Sequence, residues 1–279
     1  MDFLFSIVLG LIEGITEYLP ISSTGHLLIA SALISYLANG SNLTTIFSDK
    51  AFRLTFDIVI QVGPILAILI YFRNELWQIV RDLPRNPRAR MLLVNILLAF
   101  IPAGIVGVAL GKLSDSAPLI GAALLIGGII FLLVEARPRE VIVTDLYAIT
   151  PLQALLIGVA QITALIPGVS RSGATIVAGL LLGLRRDVIT KFTFYLAIPT
   201  LLIATGYSLY KAAKGGELGG GNLGFLLVGT AVAFVSAYAA IAWFLRYVST
   251  RNFRAFGVYR IVIGAIILIL ALATPLLSQ

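Results

Sequence analysis

The sequence predicts an all-α polytopic membrane protein: six transmembrane helices plus two re-entrant helical hairpins, arranged in two inverted-topology repeats. Three observations predict it. The chain of 279 residues is 59% hydrophobic and only 12% charged, whereas a water-soluble domain carries about a quarter charged residues. Six apolar runs are long enough to cross a bilayer, and two further apolar regions are interrupted by proline, glycine and hydroxyl residues. Lysine and arginine concentrate in alternate loops.

The six expected spans are Arg53–Phe72, Met91–Gly111, Ala117–Val134, Val188–Tyr210, Leu223–Phe244 and Gly257–Leu277. Each holds about 20 residues, the length that crosses the hydrocarbon core as a helix. Runs such as Gly121–Val134 and Ile261–Ala273 show no two-residue alternation. Helices therefore satisfy the backbone better than a β-barrel does. Asp2–Ala38 and Pro151–Leu184 are apolar but broken, and each half is too short to cross comfortably. Such segments are re-entrant hairpins or broken helices lining a cavity.

Loop charge orients the spans, because cytoplasmic loops are richer in Lys and Arg. The Phe72–Arg90 loop carries five arginines and is placed inside. Alternation then puts Arg137, Arg139, Arg185, Arg186, Lys191, Arg246, Arg251, Arg254 and Arg260 inside as well. Lys50, Arg53, Lys112, Lys211 and Lys214 fall outside, and Arg171 alone lies in the membrane. The bias holds only if Pro151–Leu184 dips in and returns. Both termini are then periplasmic. The first hairpin enters from outside, the second from inside, and three spans follow each.

This is the plan of inverted repeats, about 1–135 and about 150–279, within a single membrane domain 1–279. A shift of 148 residues aligns Gly10 with Gly158, Glu13 with Gln161, Ser22 with Ser170, Thr24 with Ser172 and Gly25 with Gly173. Ligand sites in such folds lie near the midplane, where the broken segments face each other.

Composition excludes several classes. There is no cysteine, so disulfides, iron–sulfur clusters and thiolate zinc sites are ruled out. A single histidine rules out multi-histidine metal sites and haem pairs. The net charge of +7 is spread over short loops, so no nucleic-acid partner is expected. The opening residues MDFLFSIVLG lack the basic n-region of a signal peptide, and they are expected to stay in the mature chain. Gly215–Asn222 reads as a flexible external loop. Glycine-rich runs such as GAALLIGG read as close helix packing.

Polar residues concentrate in two stretches, Glu13–His26 and Gln161–Thr175. Glu13 and Glu17 share one helix face. In apolar surroundings they repel unless one is protonated or a cation lies between them. An all-oxygen pair suits Mg²⁺ or Ca²⁺, although a proton or sodium site of a transporter fits too. Pro20 breaks the helix, and Ser22, Ser23 and Thr24 then begin a return helix whose N-terminus can hold an anion. Ser23 and His26 lie three apart on its first turns, where imidazole can take a serine proton or attack phosphorus itself. In the second stretch, Ser170, Ser172 and Thr175 supply donors around Arg171, whose planar fork suits phosphate. Gln161 occupies the position matching Glu13. Asp57 and Gln61 share a face of the first span; facing the site and satisfying irregular backbone are both open to them. Pro199 is a candidate kink.

At these residues the chain resembles the undecaprenyl-diphosphate phosphatase family, the bacitracin-resistance type of bacterial inner membranes. EGITEYLPISSTGH at Glu13–His26 and PGVSRSGAT at Pro167–Thr175 carry the resemblance. It implies a multi-pass inner-membrane hydrolase that converts undecaprenyl diphosphate to the monophosphate and so recycles the lipid carrier for cell-wall synthesis. It implies a divalent-metal-dependent site that opens to the periplasm, a polyprenyl diphosphate substrate and contact with membrane lipid. A homodimer is compatible with it. Glu13 and Glu17 would serve metal and acid–base chemistry, Ser23 and His26 would be nucleophile and base in either order, and Arg171 with Ser170 and Thr175 would hold the diphosphate. The rival class is a transporter or flippase of a polyprenyl phosphate, which needs charge compensation but no nucleophile.

Overall fold

A computed structural model describes residues 2–40, 50–110, 116–137, 140–215 and 223–273. Two short helices, α1 (Asp2–Tyr18) and α2 (Ser23–Gly40), flank the first break. They are followed by α3 (Lys50–Ile60), α4 (Val62–Tyr71), the polar surface helix α5 (Arg73–Asp82), α6 (Pro87–Leu110) and α7 (Ala117–Ala136). The order then recurs. Helices α8 (Pro151–Gln161) and α9 (Arg171–Leu181) flank the second break, and α10 (Arg186–Gly215), α11 (Leu223–Val248) and α12 (Arg254–Ala273) follow. Six helical stretches are long and apolar enough to cross a membrane: Phe52–Tyr71, α6, α7, α10, α11 and α12. All six correspond to expected spans. The chain is a multi-pass membrane protein.

Helices α8 and α9 have 11 residues each, about 16 Å of rise against a core of about 30 Å. Helix α2 begins at Ser23 and α9 at Arg171, the same 148-residue offset found in the sequence. Packing repeats that correspondence. Helix α1 lies against α11, and α8 lies against α6. Backbones approach closely at matched glycines: a Cβ on Gly10 would fall 2.4 Å from Gly229 O, and one on Gly158 would fall 2.4 Å from Ala99 O. The last helices of the two halves, α7 and α12, pack on each other. The GAALLIGG run lies in this contact, as expected: a Cβ on Gly128 would meet Gly257 O at 2.6 Å.

The first expected span differs from a single helix. It breaks between α3 and α4 at Gln61, because Pro64 has no N–H to donate to Ile60 O, and the ladder resumes as Ile65 N–H donates to Gln61 O at 3.3 Å. Thr230 donates to Val59 O at 3.4 Å and Thr205 donates to Gln61 Oε1 at 2.9 Å. The Gln61 side chain is thus tied to α10 across the break. Helix α10 runs through Pro199 without interruption. The expected Gly215–Asn222 loop falls almost wholly outside the described residues, as do Lys112 and Arg139.

Candidate active site

Both breaks meet at one place. Pro20 ends the first apolar run, and the chain reverses through Ser22, whose φ is +71°. For a non-glycine residue this is a strained conformation, of a kind that clusters at functional sites. The second break turns at Gly168, φ +91°. There the Ser170 side chain accepts from the Gly173 amide at 3.1 Å and so caps α9.

The carboxylate of Glu17, at the end of α1, joins the two halves. Its Oε2 accepts from Ser23 Oγ at 2.8 Å, and its Oε1 accepts from Arg171 Nη2 at 3.2 Å. Glu17 and Arg171 side chains are each 12% exposed, so the pair is reached from outside but largely dry. The Arg171 guanidinium also sits over the Tyr18 ring, 6.0 Å from its centroid. Its other arm, Nη1, is buried without a hydrogen-bond partner.

Unpaired buried polar atoms are rare in proteins. Among the described residues, seven such side-chain atoms occur. Six belong to the two polar stretches or to the arginine between them: both Glu13 oxygens, both Gln161 amide atoms, Arg171 Nη1 and Arg260 Nε. Each unsatisfied group costs about 1–3 kcal/mol, a cost that a bound polar ligand relieves. Glu13 also feels the negative charges of Glu17 and Asp57.

The donor set suits a hard divalent ion. Glu13 offers two free buried oxygens, and Glu17 stands one turn along the same face. Among the described residues no three of His, Asp and Glu gather into a metal-type cluster. The remaining ligand positions would fall to water or phosphate oxygens, which Mg²⁺ accepts readily.

Other expected residues have different neighbours. His26 is hydrogen-bonded elsewhere than to Ser23: its Nδ1 lies 2.7 Å from Ser22 O and its Nε2 lies 2.7 Å from the Tyr259 hydroxyl. Among the described residues no hydrogen bond joins Ser23 to His26. Ser172 donates to Leu19 O at 2.9 Å and pairs with Ser170 at 2.9 Å, which fastens one break to the other. Thr175 is fully buried, and its hydroxyl is engaged with Arg171 O, Ser172 O and Thr193. Thr24 is exposed and Ser22 buried.

Arg260 is the residue the sequence reading misplaced. The loop-charge pattern places it in an inside loop, with Arg171 as the lone membrane arginine. Instead it lies within α12, 2% exposed, and donates to Pro20 O at 3.1 Å, Ala123 O at 3.3 Å and Gly168 O at 3.4 Å. Gly127 leaves it room, since a Cβ there would meet Arg260 Nη2 at 2.2 Å. The signal was present: the expected span Gly257–Leu277 itself contains this arginine.

Comparison with known proteins identifies the family. The family described as bacitracin resistance protein BacA matches residues 6–266. The chain belongs to the BacA family. Among its relatives, the undecaprenyl-diphosphatase of Methylococcus capsulatus is 42% identical over 271 residues, covering 96% of this chain and 94% of that protein. The undecaprenyl-diphosphatase of Dechloromonas aromatica is 40% identical over 267 residues, covering 94% and 92%. Undecaprenyl-diphosphatase 2 of Rhodospirillum rubrum is 42% identical over 266 residues, again covering 94% and 92%. The BacA match spans both breaks, five of the six long helices and the first part of α12, so it includes every polar group described above.

Proposed function

We propose that this BacA-family chain hydrolyses undecaprenyl diphosphate to undecaprenyl phosphate and orthophosphate in the bacterial plasma membrane. The names of its relatives and the site chemistry both support the reading. The observation that carries it is the Ser23–Glu17 hydrogen bond, with Arg171 on the other oxygen of the same carboxylate. A hydroxyl with a base in reach is the arrangement nucleophilic catalysis needs. A transporter of the same lipid needs no such pair.

In the proposed reaction Ser23 Oγ attacks the terminal phosphorus and its proton passes to Glu17. The bond from that phosphorus to the bridging oxygen breaks, releasing undecaprenyl phosphate. Water then attacks the phosphoserine, and His26, one turn along α2, takes the water proton. Glu17 returns its proton to Ser23 as orthophosphate leaves. Arg171 offers its unpartnered Nη1 to the phosphoryl oxygens, where charge spreads in the transition state. Glu13 and Glu17 would hold the divalent ion, which supplies further positive charge against those oxygens when bound. Ser170 and Ser172 hold the α9 terminus in place, and Gln161 has two buried amide atoms without a partner.

An apolar cavity of about 480 Å³ adjoins α1 and α2, lined by Leu4, Val8, Ile12, Ile29, Leu33 and, as its polar member, His26. Its chemistry suits an isoprenoid tail beside a phosphate site. The two inverted repeats, the re-entrant hairpins and the opening to the periplasm belong to the same proposal. They rest on the loop-charge bias and on the shortness of α8 and α9.

Stereochemistry tests the covalent route. A substrate whose terminal thiophosphate is made chiral with oxygen isotopes, hydrolysed in water carrying the third isotope, should give thiophosphate of retained configuration, because two in-line displacements each invert. Net inversion would exclude a phosphoserine.

A further inference from the structure

The only histidine in the chain has both ring nitrogens committed. Ser22 O can only accept, so Nδ1 at 2.7 Å must carry a hydrogen and donate to it. This fixes the tautomer: in the neutral ring Nε2 is the bare nitrogen and accepts from the Tyr259 hydroxyl at 2.7 Å. The rings are parallel within 1°, with centroids 5.5 Å apart. Tyr259 belongs to α12 and immediately precedes Arg260, whose guanidinium ties down both breaks. The same turn of α12 thus fixes the break and caps the imidazole. His26 is partly buried and Tyr259 is 41% exposed.

We propose that Tyr259 is a positioning residue for the hydrolysis: it donates to His26 Nε2, holds the ring in one orientation and covers the nitrogen through which the imidazole exchanges protons. This rests on the phosphatase reading above. Because Nδ1 is spent on Ser22 O, Nε2 is the one nitrogen that can take the proton of the attacking water. That proton reaches His26 by way of the phenol oxygen, as the phenol proton moves to Nε2, or directly when the phenol swings aside. In both cases the starting position of the ring is set by Tyr259. The phenylalanine variant removes a single oxygen and keeps the stacked ring.

The test uses full-length protein labelled with nitrogen-15 histidine, which reports on one residue because the chain has one. The wild-type spectrum is expected to show a protonated Nδ1 and a bare, hydrogen-bonded Nε2. In Tyr259→Phe the Nε2 resonance should move toward the value of a free lone pair while Nδ1 stays protonated. Turnover of undecaprenyl diphosphate should fall about tenfold, with KM little changed, the scale of losing one neutral hydrogen bond. A wild-type spectrum with the proton on Nε2, or a variant spectrum identical to wild type, overturns the contact without reference to activity. A shifted spectrum with wild-type turnover overturns its role in the reaction. His26→Ala separates the two levels: full activity there would remove His26 from the mechanism and the positioning role with it, while the spectrum still decides the contact.

Discussion

Ser23 and Glu17 are six residues apart and on different helices, yet Ser23 Oγ donates to Glu17 Oε2 at 2.8 Å. The contact exists because Pro20 ends the first apolar run and Ser22 reverses the chain with a positive φ. Arg171, from the other half of the molecule, completes the carboxylate. The polar centre is therefore assembled by two backbone breaks that each half alone leaves incomplete.

Arg171 holds Glu17 with one arm and leaves the other free. Lysine carries the charge but lacks the planar fork. Arg171→Lys should insert normally and lose about a hundredfold or more in kcat/KM, on the scale of one lost transition-state donor. Steady-state phosphate release checks this, and near-wild-type turnover would remove the guanidinium from its assigned role.

Glu13 has two buried oxygens with no partner. The neutral amide of Glu13→Gln cannot balance a divalent ion in the same way. Chelation with EDTA should abolish turnover of the wild-type protein. The variant should need about tenfold more Mg²⁺ or worse, the usual scale for a perturbed metal site. A Mg²⁺ titration in which the two proteins superimpose would take Glu13 out of the metal site.

Helix packing makes a paired stability prediction. A Cβ on Gly14 would lie 2.0 Å from Ser236 Oγ and 2.4 Å from Ala233 O. Gly14→Ala should therefore force α1 from α11 at a cost of about 1–3 kcal/mol. Gly206 in α10 has nothing within 4 Å of its notional Cβ, so Gly206→Ala should be neutral or stabilising by about 0.5–1 kcal/mol. Thermal unfolding in detergent compares them, and equal melting temperatures would contradict the packing argument.

A cysteine-free chain suits labelling from either side. Arg81 in α5 and Lys214 near the end of α10 are both exposed. Arg81→Cys should react only from the cytoplasm and Lys214→Cys only from the periplasm. Labelling of both from one side would refute the charge-derived topology.

Much of this was legible in the sequence. Six spans could be read because about 20 consecutive apolar residues have one stable solution in lipid. Glu13, Glu17, Ser23 and Arg171 stood out because polar groups in such a chain are costly. Their partners were not legible. Helical spacing put Ser23 beside His26, but the reversal at Ser22 turned Ser23 toward Glu17, and the imidazole went to Ser22 O and Tyr259. Thr175 looked like a phosphate donor, yet it bonds back to its own turn and to Thr193. Arg260 sits in the first two turns of a span, where sequence alone makes an arginine look like a loop residue. Only the carbonyls it reaches, on both breaks and α7, reveal it as a brace.

The central claim is that Ser23, activated by Glu17, attacks a lipid diphosphate. Phosphate release from undecaprenyl diphosphate by purified protein in detergent tests it most directly, with wild type, Ser23→Ala and Glu17→Gln measured side by side in Mg²⁺. The account predicts release by the wild type and losses of about a hundredfold to ten-thousandfold in Glu17→Gln, the range for a removed general base. The loss in Ser23→Ala should be at least as large. Wild-type rates in Ser23→Ala, or no release from well-folded wild-type protein, would contradict it.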